Sequence, residues 1–222
     1  MYSAAPLPSS SPRSARLARR SRGPILLTAA VLITSAAVSG CATSTDHSVP
    51  AQSPTSSASA STDGSQDVHF TVGYAGDVLM HMPVMESTPG ASGDITANIA
   101  AETPWVEGLD LALCGMEVPV APDGVYSGYP SFGTSAEVVA ALARSGWDGC
   151  ATASNHAADR GEAGVVATLD ALDAHGLGHA GTYRSRQDAS VPFALYELER
   201  GGRTVTVAQI STTMDLNGLE DP

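Results

Sequence analysis

The sequence predicts an α/β layered fold, and three observations carry that prediction. Short apolar, strand-like runs alternate with segments of helical periodicity. Polar clusters of ligand-type residues follow three of these runs directly. Near the end, two alternating runs flank Gly201-Gly202, the pattern of a β-hairpin.

In chain order, residues 1–23 come first and hold five of the eleven basic residues: Arg13, Arg16, Arg19, Arg20 and Arg22. An apolar run from Ile25 to Val38 follows. Its 14 residues fall short of the roughly 20 needed to span a bilayer. A positive start, an apolar middle and a small-residue exit describe a secretory signal. Val38-Ser39-Gly40-Cys41 resembles the bacterial lipobox, which implies a lipid on Cys41 and an anchor on the extracytoplasmic face of the cell membrane. The plainer alternative is a signal cleaved nearby, with Cys41 incidental. Residues 42–66 are rich in Ser, Thr, Ala and Pro and have no apolar periodicity, so a disordered tether is expected there. The folded part is expected over residues 67–222, one domain by length.

That domain opens with DVHFTVGYAGDVLM, where Val68, Phe70, Val72 and Tyr74 are placed on one strand face. TANIAAETPWVEG is weakly helical, with Pro104 read as a break. LDLALCGMEV is a short apolar strand, and residues 119–133 form a Gly/Pro/aromatic loop. SAEVVAALARSG is a helix with Ser135 as N-cap and Gly146 as stop. WDGCATAS is a third strand. GEAGVVATLDALDAHG is a helix with Val165, Leu169, Leu172 and His175 on one stripe. LGHAG is a short extended piece ahead of the hairpin.

The domain carries 21 of the 23 acidic residues against six Arg, and the chain has no Lys. Such a surface repels nucleic acid, so that class of partner is excluded. Of three cysteines, Cys41 belongs to the anchor reading. In an exported domain Cys114 and Cys150 are permitted a disulfide. The preferred reading is nevertheless two small buried residues at strand ends.

The chemistry gathers at three places: Gly76-Asp77 with His81 four residues on, Glu117, and Asn155-His156. In open α/β sheets, ligands collect outside the carboxyl ends of strands. Asp and Glu oxygens, a neutral imidazole and an Asn carbonyl together suit Mn, Fe, Zn or Mg, not a soft thiolate site. Each group alone has a bland alternative: a turn for Gly-Asp, a surface histidine for His81, a solvent acid for Glu117. Asn155 as a helix cap is disfavoured, because the next helix starts nearer Asp159–Gly161. The joint pattern raises the metal reading above these.

The blocks AGDVLMH, LDLALCGMEVPVAP, YPSFG, DGCATASNHAADRGEAGVVATLDALDAHGLGHAGTYRS and QISTTMDLNG resemble successive blocks of the CapA/PgsA family of capsule or poly-γ-glutamate biosynthesis proteins. The resemblance implies a calcineurin-like metallophosphoesterase fold, an α/β/β/α sandwich. It also implies two divalent metal ions. Position by position, Asp77 matches the first metal-binding aspartate and His81 a His or Arg near that site. Glu117 matches an acid that bridges or binds metal, although the residues before it, Gly115-Met116, depart from the family pattern. Asn155 is implied on the second metal, and His156 as the catalytic residue near the leaving group. Asp159 and Gly161 match an Asp-x-Gly that shapes the following turn.

The family continues with a His-Trp-Gly block and a Gly-His-His-x-His block, and this chain reaches Pro222 before either. The expectation is therefore a sandwich with its C-terminal part missing, weak metal retention and little hydrolysis. Three functions are weighed. The first is a surface-anchored CapA-type phosphoesterase-like protein of polymer synthesis or export. The second is a non-catalytic accessory docking on membrane polymer-synthase subunits. The third, a solute-binding lipoprotein, is disfavoured by the Asp77/Glu117/Asn155-His156 constellation.

Overall fold

Four short parallel strands, paired in the order in which they occur in the chain, make the central sheet: β1 Val72–Ala75, β2 Leu111–Gly115, β3 Gly149–Ala151 and β4 Gly178–Ala180. The computed structural model describes residues 67–219 and the backbone of a two-residue strand, Ser14–Ala15. Apart from that strand, the leader, Cys41 and the 42–66 tether lie outside the described residues. Residues 68–219 belong to one compact unit.

Parallel neighbours require long crossovers, and here each crossover carries helix. Helices α1 (Met82–Ser87) and α2 (Thr103–Glu107) join β1 to β2. Helix α3 (Ala136–Arg144) joins β2 to β3, and α4 (Gly161–Ala174) joins β3 to β4. Successive side chains of a strand point to opposite faces. In β2, Cys114 packs into the cluster formed with α3 and α4, while Leu111 and Leu113 pack into a separate cluster with Tyr196 and Leu198. The latter pair comes from the antiparallel hairpin β5 (Ala194–Arg200) and β6 (Arg203–Gln209). The layers are thus helices, parallel sheet and hairpin, the mixed α/β architecture that the sequence predicts.

The hairpin turns at Gly201 and Gly202, both at positive φ (59° and 72°), which a two-residue primed turn requires. Tyr196 lies over β3 and β4, so a Cβ at Gly149 or Gly178 would collide with its hydroxyl. That hydroxyl donates to Gln209 Oε1 at 2.6 Å, satisfying two buried polar groups at once. Burial, helped by nearby Asp148, pushes the phenol well above its usual range and keeps it neutral.

Helix α3 follows its caps. Ser135 Oγ accepts the Glu137 N–H at 3.1 Å, and Gly146 at φ 92° ends the helix. Three expectations are corrected. Pro104 opens α2 rather than breaking a helix, because its missing N–H costs nothing in the first turn. In β1, Val72 and Tyr74 are exposed, since β1 is the outermost strand of the described sheet. His175 is exposed at the end of α4, while Thr168 joins the buried face. Its hydroxyl donates to Gly164 O and accepts the Val120 N–H at 2.8 Å. The cysteines differ from the preferred reading too. Cys114 and Cys150 are register partners on β2 and β3, both fully buried, and form a disulfide.

Candidate functional site

Because β1, β2 and β3 run parallel, their carboxyl ends share one edge, and the segments leaving them carry Asp77, Glu117 and Asn155-His156. Backbone pairing continues past the strands. Val78 donates to Gly115 O at 2.7 Å, and Met116 donates to Ala151 O at 2.8 Å. Ser154 Oγ then donates to Glu117 O at 2.5 Å and accepts the His156 N–H at 3.1 Å. Three segments far apart in sequence are thereby locked side by side.

Asp77 and Glu117 lie near enough for each carboxyl to act on the other. Burial first, and then neighbouring Asp77, raise the Glu117 carboxyl above its usual range, and the nearby His156 opposes the rise. Glu117 Oε2 is buried without a hydrogen-bond partner. Tyr74, exposed over most of its surface, sets its hydroxyl close to Gly76 and Gly115, and partial desolvation there, then the Asp77 charge, raises the phenol.

His156 is held from several directions. Its Nδ1 lies 2.8 Å from Asp159 Oδ2, which also accepts the Phe132 N–H at 2.7 Å. The Phe132 ring stands edge-on to His156 (centroids 4.6 Å apart) and to His81 (4.9 Å), so His81 enters the cluster through Phe132. Asn217 donates to Asn155 O at 2.8 Å and accepts from Asn155 Nδ2 at 3.2 Å, with its amide nitrogen 3.2 Å from His156 Nδ1. Gly161, at φ 59°, takes the left-handed turn that starts α4. Arg160 beside it ties that turn to the 119–133 loop through Phe132 O, Val125 O and Ser127 Oγ.

The structure therefore brings Asp77, Glu117 and His156 together and places Asn155 next to them, with His81 on the far side of Phe132. Sequence reasoning gave Phe132 and Asn217 no role and gave Asp159 only a turn. Phe132 and Asn217 do lie in the quoted YPSFG and QISTTMDLNG blocks, but neither aromatic nor amide residues announce a ligand by type.

A buried, unpartnered Glu117 oxygen beside a second carboxylate suits one hard cation. Among the described residues, however, no three His, Cys, Asp or Glu side chains gather closely enough to hold an ion. Within the described residues, His156 turns one ring nitrogen to Asp159, and His81 packs on Phe132.

No curated protein matches the chain. The family model of the bacterial capsule synthesis protein PGA_cap matches residues 71–221, a span that includes every strand and helix described from β1 on. With two thirds of the sequence covered by that match, and with the strand-end cluster in place, the chain belongs to the PGA_cap family of bacterial capsule synthesis proteins, the CapA/PgsA family that its motifs resemble.

Proposed function

We propose that the chain serves capsule-polymer synthesis or export at the outer face of the cell membrane, lipid-anchored through Cys41, with the strand-end cleft as a phosphoesterase-type site. The observation that carries this reading is the Asp77–Glu117 pair facing a histidine that Asp159 orients. Asp77 and Glu117 would hold a single divalent cation, which supplies positive charge against phosphoryl oxygens and a bound water of lowered pKa. With Nδ1–H given to Asp159 Oδ2, His156 in its imidazolium form would carry its second proton on Nε2 and deliver that proton to the departing oxygen, returning to the neutral ring. Phe132 covers one side of the imidazole and limits water there.

The absence of a three-ligand group among the described residues favours a second reading, a non-catalytic accessory docking on membrane polymer-synthase subunits. One experiment separates the two. Mn²⁺ binding and bis(p-nitrophenyl) phosphate hydrolysis are measured on the full chain in lipid nanodiscs, alongside Asp77→Asn and His156→Ala. The phosphoesterase reading expects weak Mn²⁺ binding abolished by Asp77→Asn, and slow hydrolysis abolished by His156→Ala with binding retained. Hydrolysis indifferent to both substitutions, or none at any Mn²⁺ concentration, sinks it in favour of the accessory.

A further inference from the structure

A cavity of about 350 Å³, at the lower end of the small-molecule range, adjoins the strand-end cluster. Its lining follows residues 75–80, the stretch that leaves β1 and carries Asp77. From there it continues onto Val84 of α1, Ile99 and Trp147. Asp77 thus belongs both to the cavity wall and to the carboxyl pair with Glu117.

The accessible part of the wall is mostly apolar. Val78, Leu79, Ile99 and Trp147 pack against the core yet stay half-buried, and Val84 is 37% exposed. Apolar side chains grouped round one concavity suit a ligand, whereas scattered ones need no explanation. Asp77 and Glu102 are the only charged residues on the lining, and both are acids. A carboxylate or phosphate inside the cavity would meet like charge with no base to answer it. The group that enters is therefore neutral and apolar. An anionic group on the same molecule belongs outside, at the strand-end cluster, where a cation offsets its charge.

We infer that this cavity takes an aliphatic substituent of the substrate, so that the strand-end cluster acts on phosphoesters bearing a hydrocarbon arm. The inference rests on the phosphoesterase reading of that cluster and adds the class of ester it selects. A polyanionic chain such as a glutamate polymer is excluded from the cavity by the same two acids.

Quenching of Trp147 fluorescence by 6-bromo-1-hexanol tests the cavity without any cation. It is measured on the full chain in lipid nanodiscs with EDTA, and Trp105→Phe leaves Trp147 the sole indole. Saturable quenching is expected, relieved by unbrominated alcohols that bind about two- to fourfold more tightly for each added methylene. Ile99→Phe narrows the space and Val84→Asp charges the wall, so each should weaken binding about fivefold or more. Circular dichroism checks that both variants fold. With Mn²⁺ present, KM for p-nitrophenyl hexyl phosphate should lie about tenfold or more below that for p-nitrophenyl methyl phosphate, at similar kcat. That ratio should shrink in both variants. Quenching that never saturates, quenching unchanged in both folded variants, or equal KM values for the two esters overturns the inference. Where both esters are hydrolysed, those results leave the phosphoesterase reading standing. Hydrolysis of neither ester sinks that reading, and the substrate assignment falls with it.

Discussion

His156 and Asp159 form a close, largely buried side-chain pair in the strand-end cluster: Nδ1 to Oδ2 at 2.8 Å, with side chains only 13% and 3% exposed. A carboxylate on one imidazole nitrogen fixes the ring's tautomer and its orientation, leaving the other nitrogen for chemistry.

Asp159→Asn should release that control. ¹⁵N chemical shifts of His156 are expected to move from the Nδ1–H form towards a mixture of tautomers. Any phosphodiester hydrolysis should fall about 10- to 100-fold, the usual effect of losing such a partner. An unchanged tautomer would show that packing against Phe132 holds the ring without Asp159.

A pH dependence of stability is expected from His179 on β4. Burial lowers its pKa below the usual histidine value, and Asp173 at 3.3 Å opposes the shift only in part. As pH falls, the unfolded chain therefore takes the proton first. The stability His179 contributes is complete above about 6.5 and is lost as pH drops from there through the lower folded value. His179→Gln should flatten this segment of the curve in urea melts at stepped pH. Identical pH profiles for the two proteins would refute the assignment.

Gly149→Ala should destabilise the domain by about 1–3 kcal/mol, because its methyl collides with the Tyr196 ring and hydroxyl. In the double variant with Tyr196→Phe, part of the collision is removed. The two costs should then sum to more than the double variant shows, a coupling readable from urea midpoints.

The Cys114–Cys150 bridge closes a loop with a sequence separation of 36. Replacing both residues with Ala should cost about 2–4 kcal/mol, the typical worth of such a cross-link. Both sulfurs are buried, so reductant should act only on the unfolded chain. Thiol titration of native and denatured protein checks this. Free thiols at both positions in the unreduced, denatured chain would contradict the bridge.

Much of the fold was legible because local pattern and tertiary demand agree. Ser135 and Gly146 bracket α3 for reasons internal to that helix, and Gly201-Gly202 dictate a turn that no other residue pair takes so readily. Where environment rather than pattern decides, the reading failed. Val72 and Tyr74 look like core and sit outside, because apolar alternation does not tell which faces of an outer strand are covered. His175 continues a stripe by spacing, yet α4 ends one residue earlier.

The sequence alone determined the family, the alternation of strand and helix, and the segments that carry Asp77, Glu117 and Asn155-His156. Those follow from residue types and periods that are local properties of the chain. Only the tertiary structure decided that Asp77 and Glu117 come close, that Asp159 serves His156, that Phe132 separates the two histidines, and that Cys114 meets Cys150. Such contacts join residues up to dozens of positions apart. They depend on strand register and on which side chains burial leaves facing one another, quantities that are not written at any single position.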